Sequence, residues 1–108
     1  MTRIVLIALF AGLWATAAGA QDVAKGQAVY TAQKCSICHS VAGVGNKKGS
    51  LDGVGAKLTA AEIRQWITAA PDMAAKAKAE RKPAMKAFTA LGKDDLDALV
   101  AYLGSLKK

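Results

Sequence analysis

Cys35-Ser36-Ile37-Cys38-His39 constrains this chain more than any other feature, because two thiols three positions apart beside an imidazole leave few chemistries open. A zinc centre needs further Cys or His ligands, and these are the only two cysteines and the only histidine among 108 residues. A redox dithiol belongs between the strand and helix of a βαβ unit, whereas glycine-rich sequence follows here. A plain disulfide accounts for the thiols and leaves the histidine without a role. The spacing C-x-x-C-H is that of covalent haem attachment. Two thiols on one turn reach the two vinyl groups on one porphyrin edge, and the next residue directs an imidazole at the iron. Cys35 and Cys38 are therefore the candidate thioether residues and His39 the candidate iron ligand, for one haem c per chain.

The N-terminus sets the compartment. Met1-Thr2-Arg3 is a short basic start, Ile4 to Ala18 is an almost unbroken apolar run, and Ala18-Gly19-Ala20 offers small residues for cleavage. This pattern predicts a signal peptide over 1–20, removed before Gln21, and a single mature domain over 21–108. A spanning helix needs about 20 apolar residues; this run is shorter, contains Gly12 and has no basic stop after it. No stable membrane insertion is expected after cleavage, and Trp14 leaves with the leader. Export places haem attachment outside the cytoplasm, in the periplasm. A mature chain this short builds only a thin core, and such domains lean on a staple or a cofactor.

The full chain carries a formal charge of +7. Losing Arg3 with the leader leaves +6, since all eight acidic residues follow it. A basic surface favours encounter with acidic partners. Nucleic acid is excluded by export and by the lack of interleaved aromatic and basic residues.

The mature part reads as helices joined by loops. Asp22 is placed to cap a helix from Val23 to about Gln33, with Val29 and Tyr30 three and four positions after Gly26. Five glycines, Asn46 and Ser50 predict a loop over 41–55. Thr59-Ala60-Ala61-Glu62 spells a capping box ahead of Ile63, Trp66 and Ile67. That helix is expected to stop near Ala70, before Pro71. A short exposed helix is expected over 72–82, ended by Pro83. Leu96, Leu99, Val100, Leu103 and Leu106 form one stripe of a last helix with Tyr102 at its margin. Asp94 and Asp95 fall in its first turn and Lys107 and Lys108 at its end, both favourable to the helix dipole.

A second axial ligand separates a carrier from a reactive haem, and a thioether opposite histidine is the electron-transfer pairing. The mature methionines are Met73 and Met85. Met73 follows Pro71 in a helical first turn, where methionine packs; Met85 stands in a loop two residues after Pro83, where backbone can turn a side chain inward.

With these features in place, the mature chain resembles a class I cytochrome c of the small, soluble, bacterial, monohaem kind. The likeness rests on Gly26 and Tyr30 against Leu99 and Tyr102, on Leu51-Asp52-Gly53-Val54-Gly55, on Ile63 to Pro71 with Trp66, and on Met85-Lys86-Ala87-Phe88 with the closing Leu-Val-Ala-Tyr-Leu. It implies an all-α fold of four to five short helices wrapped around one covalently attached haem. It carries Met85 over as the axial iron ligand and Trp66 as a lining of the haem crevice. Two departures stand out: Lys86 occupies the place of a proline after the methionine, and Gly49-Ser50 that of a Gly-Pro pair. The proline carbonyl of that pair accepts the second imidazole proton, so Ser50 inherits the role.

The resulting expectation is a monomeric, non-enzymatic carrier of single electrons in the periplasm. Lys47, Lys48, Lys57, Lys76, Lys78, Lys82 and Lys86 are expected to ring the haem edge and meet redox partners that are acidic where they dock; their other use is solubility. The alternatives are a haem subunit of a larger redox complex, and a haem enzyme or sensor with an open sixth position. No distal histidine, arginine or acid offers itself for peroxide chemistry.

Overall fold

The computed structural model describes the backbone of residues 15–108 and the side chains of residues 21–108. Five α-helices are present among them: α1 (Ala15–Ala32), α2 (Val54–Lys57), α3 (Ala60–Thr68), α4 (Ala70–Ala77) and α5 (Lys93–Gly104). The all-α expectation holds. The leader and its cleavage site fall outside the described side chains, and Trp14 outside the described residues altogether.

The frame is the crossing of α1 and α5. Gly26 lies at the closest approach, where a Cβ would stand 2.0 Å from the Ala98 carbonyl oxygen and 2.5 Å from Tyr102 Cβ. Only a residue without a side chain lets these two backbones meet. Val29 and Tyr30 of α1 pack with Leu99, Val100, Tyr102 and Leu103 of α5, and Ile63 and Ile67 of α3 complete the cluster. Tyr30 and Tyr102 meet edge-to-face, with centroids 5.6 Å apart, the arrangement their ring quadrupoles favour. The Tyr30 hydroxyl is buried without a hydrogen-bond partner. Burial first, then the neighbouring Cys35 and Tyr102, push its pKa up to about 12.

The capping box forms as read: Thr59 Oγ1 accepts from Glu62 N at 3.2 Å and Glu62 Oε1 from Thr59 N at 3.0 Å. Other boundaries differ from expectation. Asp22 does not cap α1 but lies inside it, because the Ala-rich segment before it is itself helix-forming. The 41–55 segment is not wholly loop: Ser40–Val41 pairs antiparallel with Val44–Gly45 through a turn with positive φ at Ala42 and Gly43, the backbone a two-residue hairpin demands. A 3-10 turn follows at Lys47–Gly49, and α2 begins at Val54.

Pro71 does not end α3. The break falls at Ala69, and Pro71 enters the first turn of α4, where its missing N–H has no partner to lose. α4 stops at Ala77 with Lys78 left-handed at φ 52°, well before Pro83. Tyr102 is buried rather than marginal, since Gly26 leaves room for it. Lys107 and Lys108 lie beyond α5, and Lys107 Nζ donates to the Gly55 carbonyl at 2.8 Å instead of serving the helix end.

Arg64 of α3 and Lys93 of α5 converge on Asp97 at 2.6 and 2.7 Å. Their hydrogen bonds, Lys93 first and Arg64 second, hold the Asp97 carboxyl below its usual range. A depressed folded pKa gives stability that is present above the unfolded value, about 3.9 for aspartate, and is lost as pH falls through the folded pKa. Wild type is therefore expected to outlast Asp97→Asn in denaturant at neutral pH, with the gap closing as pH drops below about 4. Equal midpoints at neutral pH would remove this tie between α3 and α5.

Candidate functional site

Lys34 sits left-handed at φ 58°, ending the α1 direction and turning Cys35–Ile37 into a single 3-10 turn. The hydrogen bonds from Cys38 N and His39 N both reach the Cys35 carbonyl, at 3.1 and 2.9 Å, and keep the three motif side chains on one short arc. The adjoining hairpin is stitched to this arc: Asn46 N donates to Ser36 O at 3.1 Å and Asn46 Nδ2 to Ile37 O at 3.1 Å.

Both cysteines are free thiols and half-buried. Burial raises the Cys35 thiol pKa, with Cys38 adding to the rise against one lowering backbone hydrogen bond. A catalytic dithiol is helped by the opposite, a thiol driven down toward thiolate.

His39 Nδ1 stands 2.9 Å from the Gly49 carbonyl oxygen. A carbonyl only accepts, so Nδ1 carries the proton and Nε2 is the ring's free nitrogen. The acceptor is Gly49, one residue before the expected Ser50. The 3-10 turn at Lys47–Gly49 presents that carbonyl, and the Ser50 backbone continues extended toward Leu51. An imidazole that binds a metal through one nitrogen is oriented in this way by an acceptor on the other.

Cys35, Cys38, His39, Trp66 and Met85 all line one cavity of about 630 Å³. Met73 does not line it. The floor is the core itself: Ile63, Ile67, Leu99 and Leu103, each no more than 8% exposed, also face this space. Its charged lining is Lys34, Arg81, Lys82 and Lys86, all basic. Of the seven lysines singled out in the sequence, only Lys82 and Lys86 reach the wall; the others are exposed elsewhere. Neither Lys34 nor Arg81 carried a sequence signal: Arg81 stands in a basic, Ala-Lys-rich stretch, and Lys34 is a single lysine before Cys35.

An apolar cavity of this size, with so little core beside it, calls for an occupant to complete the interior. The donor set fits haem: two thiols in the wall, an imidazole with Nε2 free, a thioether on the same cavity, and a basic rim for an acidic cofactor edge. Among the described residues, no group of three or more His, Cys, Asp or Glu side chains is gathered to hold a metal ion by itself. These features define a small helical protein built around a prosthetic group. Residues 23–107 match the family model described as Cytochrome c, and the chain belongs to that family, in its small class I form. Haem-based electron transfer comes with that membership. No match was found among curated proteins or solved structures. No helix among the described residues is long and apolar enough to cross a membrane.

Proposed function

We propose that this chain is a periplasmic carrier of single electrons, exported by its 1–20 segment and used as a diffusible monomer. The observation that carries the reading is one apolar cavity shared by Cys35, Cys38, the tethered His39 and Met85. When bound, haem supplies an iron that cycles between ferrous and ferric states. Cys35 and Cys38 hold it covalently, as thioethers. His39 would ligate through Nε2 while Gly49 keeps the ring oriented. Met85, on the same cavity, would supply a thioether to the iron, a ligand that favours the reduced state. Ile63, Ile67, Leu99 and Leu103 exclude water from the centre, with Trp66 in the same wall. Ligation by both His39 and Met85 would leave the iron to exchange electrons rather than to bind a substrate.

Lys34, Arg81, Lys82 and Lys86 at the cavity give its mouth a positive field. Such a field raises encounter rates with acidic partners and fades with salt. Oxidation of the ferrous protein by ferricyanide, an anionic probe, is expected to slow as ionic strength rises, while oxidation by a cationic cobalt complex quickens. Rates independent of salt for both probes would assign the lysines to solubility alone.

A further inference from the structure

The segment that bears Met85 is held by remarkably little backbone bonding for a ligand-bearing loop. Between Ala79, whose N–H bonds back to Ala74, and Phe88, whose N–H reaches the Ile67 carbonyl at 2.8 Å, no backbone hydrogen bond is formed among the described residues. Nor do Glu80, Lys82 or Lys86 form a side-chain hydrogen bond or ion pair among the described residues. One side chain of this run crosses to the opposite wall. Arg81 Nη1 lies so close over Gly49 that a Cβ on Gly49 would stand 2.0 Å from it. Gly49 is the residue whose carbonyl orients His39. The same absent Cβ would also meet the Cys38 carbonyl oxygen at 2.2 Å, and that backbone atom, unlike the Arg81 side chain, has no rotamer to yield.

We propose that Arg81 is the positioning residue that pins the Met85 loop across the mouth of the cavity, by laying its guanidinium on Gly49. The proposal rests on the reading of Met85 as an axial ligand. Nη1 of a flat, forked guanidinium reaches the bare Cα side of Gly49, a contact that the compact ammonium of a lysine does not reproduce. Because the loop has no ladder of its own, the Arg81 contact bears directly on how often Met85 leaves the iron. The process at issue is an exchange of ligands: the Met85 sulfur–iron bond breaks, an added nitrogen donor forms its own bond to the iron, and no electron moves. The apparent affinity of the incoming ligand then scales with the population of the open loop.

The experiment titrates imidazole into the ferric holoprotein for wild type, Arg81→Gln, Arg81→Lys and Met85→Ala, following the methionine charge-transfer band. Arg81→Gln is expected to bind imidazole about tenfold more tightly than wild type, on the path toward Met85→Ala. Arg81→Lys restores the charge without the flat contact, so it is expected to keep the reduction potential near wild type while sharing the raised imidazole affinity. Wild-type imidazole affinity in Arg81→Gln, with the methionine band present in the parent, overturns the pin. Full rescue by Arg81→Lys would also overturn it, since charge alone would then suffice. A wild-type protein without the band, or with the imidazole affinity of Met85→Ala, would instead overturn the ligand assignment beneath it.

Discussion

Met85→Ala is expected to abolish the methionine charge-transfer band of the ferric protein, lower its reduction potential and let carbon monoxide bind readily to the ferrous form. Met73→Ala is expected to leave all three unchanged. The contrast follows from placement. Met85 shares a cavity with His39, whereas Met73 stands in α4, a helix that ends at Ala77, and does not line that cavity. Under the proposed ligation, removing the thioether takes away a ligand that favours ferrous iron and opens a coordination position. Loss of the band in Met73→Ala but not in Met85→Ala would reverse the assignment and make the protein's far wall something other than the 79–88 loop.

Gly26→Ala is expected to cost about 3 kcal/mol or more, at the upper end of overpacking penalties, and to lower the melting temperature by roughly 10–20 °C for a domain of this size. The added methyl would meet the Ala98 carbonyl oxygen at 2.0 Å and Tyr102 Cβ at 2.5 Å. The first is backbone and has no rotamer to yield, so α1 and α5 must part and the Tyr30–Tyr102 contact must open with them. Small domains hold only about 5–15 kcal/mol in total, so the loss is a large share. Gly92→Ala is the control: nothing stands within 4 Å of its added Cβ, and its φ of −63° suits any residue. A Gly26→Ala protein that melts with the Gly92→Ala control would mean that the crossing is looser than its geometry.

The elements that could be read in the sequence are those whose information is local. The C-x-x-C-H spacing is fixed by covalent chemistry, the Thr59–Glu62 box by hydrogen bonds across one turn, and the Gly26–Tyr30 and Leu99–Tyr102 spacings by the period of a helix. What escaped reading depends on contacts made far along the chain, or on backbone conformations the residue type does not advertise. Ala42 at positive φ opens a hairpin where an alanine gives no sign of one. Pro71 starts a helix as readily as it stops one, and only the Ala69 backbone decides between them. The imidazole acceptor moved from Ser50 to Gly49 because the 3-10 turn, not the residue identities, aims the carbonyl. Arg81 was invisible because its meaning lies in a glycine thirty-two positions earlier.

The account turns on haem being joined to Cys35 and Cys38. The direct measurement is the intact mass of the purified chain under denaturing, acidified conditions, read beside a Cys35→Ser, Cys38→Ser variant. The account predicts a wild-type mass equal to residues 21–108 plus one haem that stays with the polypeptide, and a variant from which any haem is stripped by acidified solvent. A wild-type chain whose mass is that of protein alone, with its haem recovered in the solvent, would contradict it.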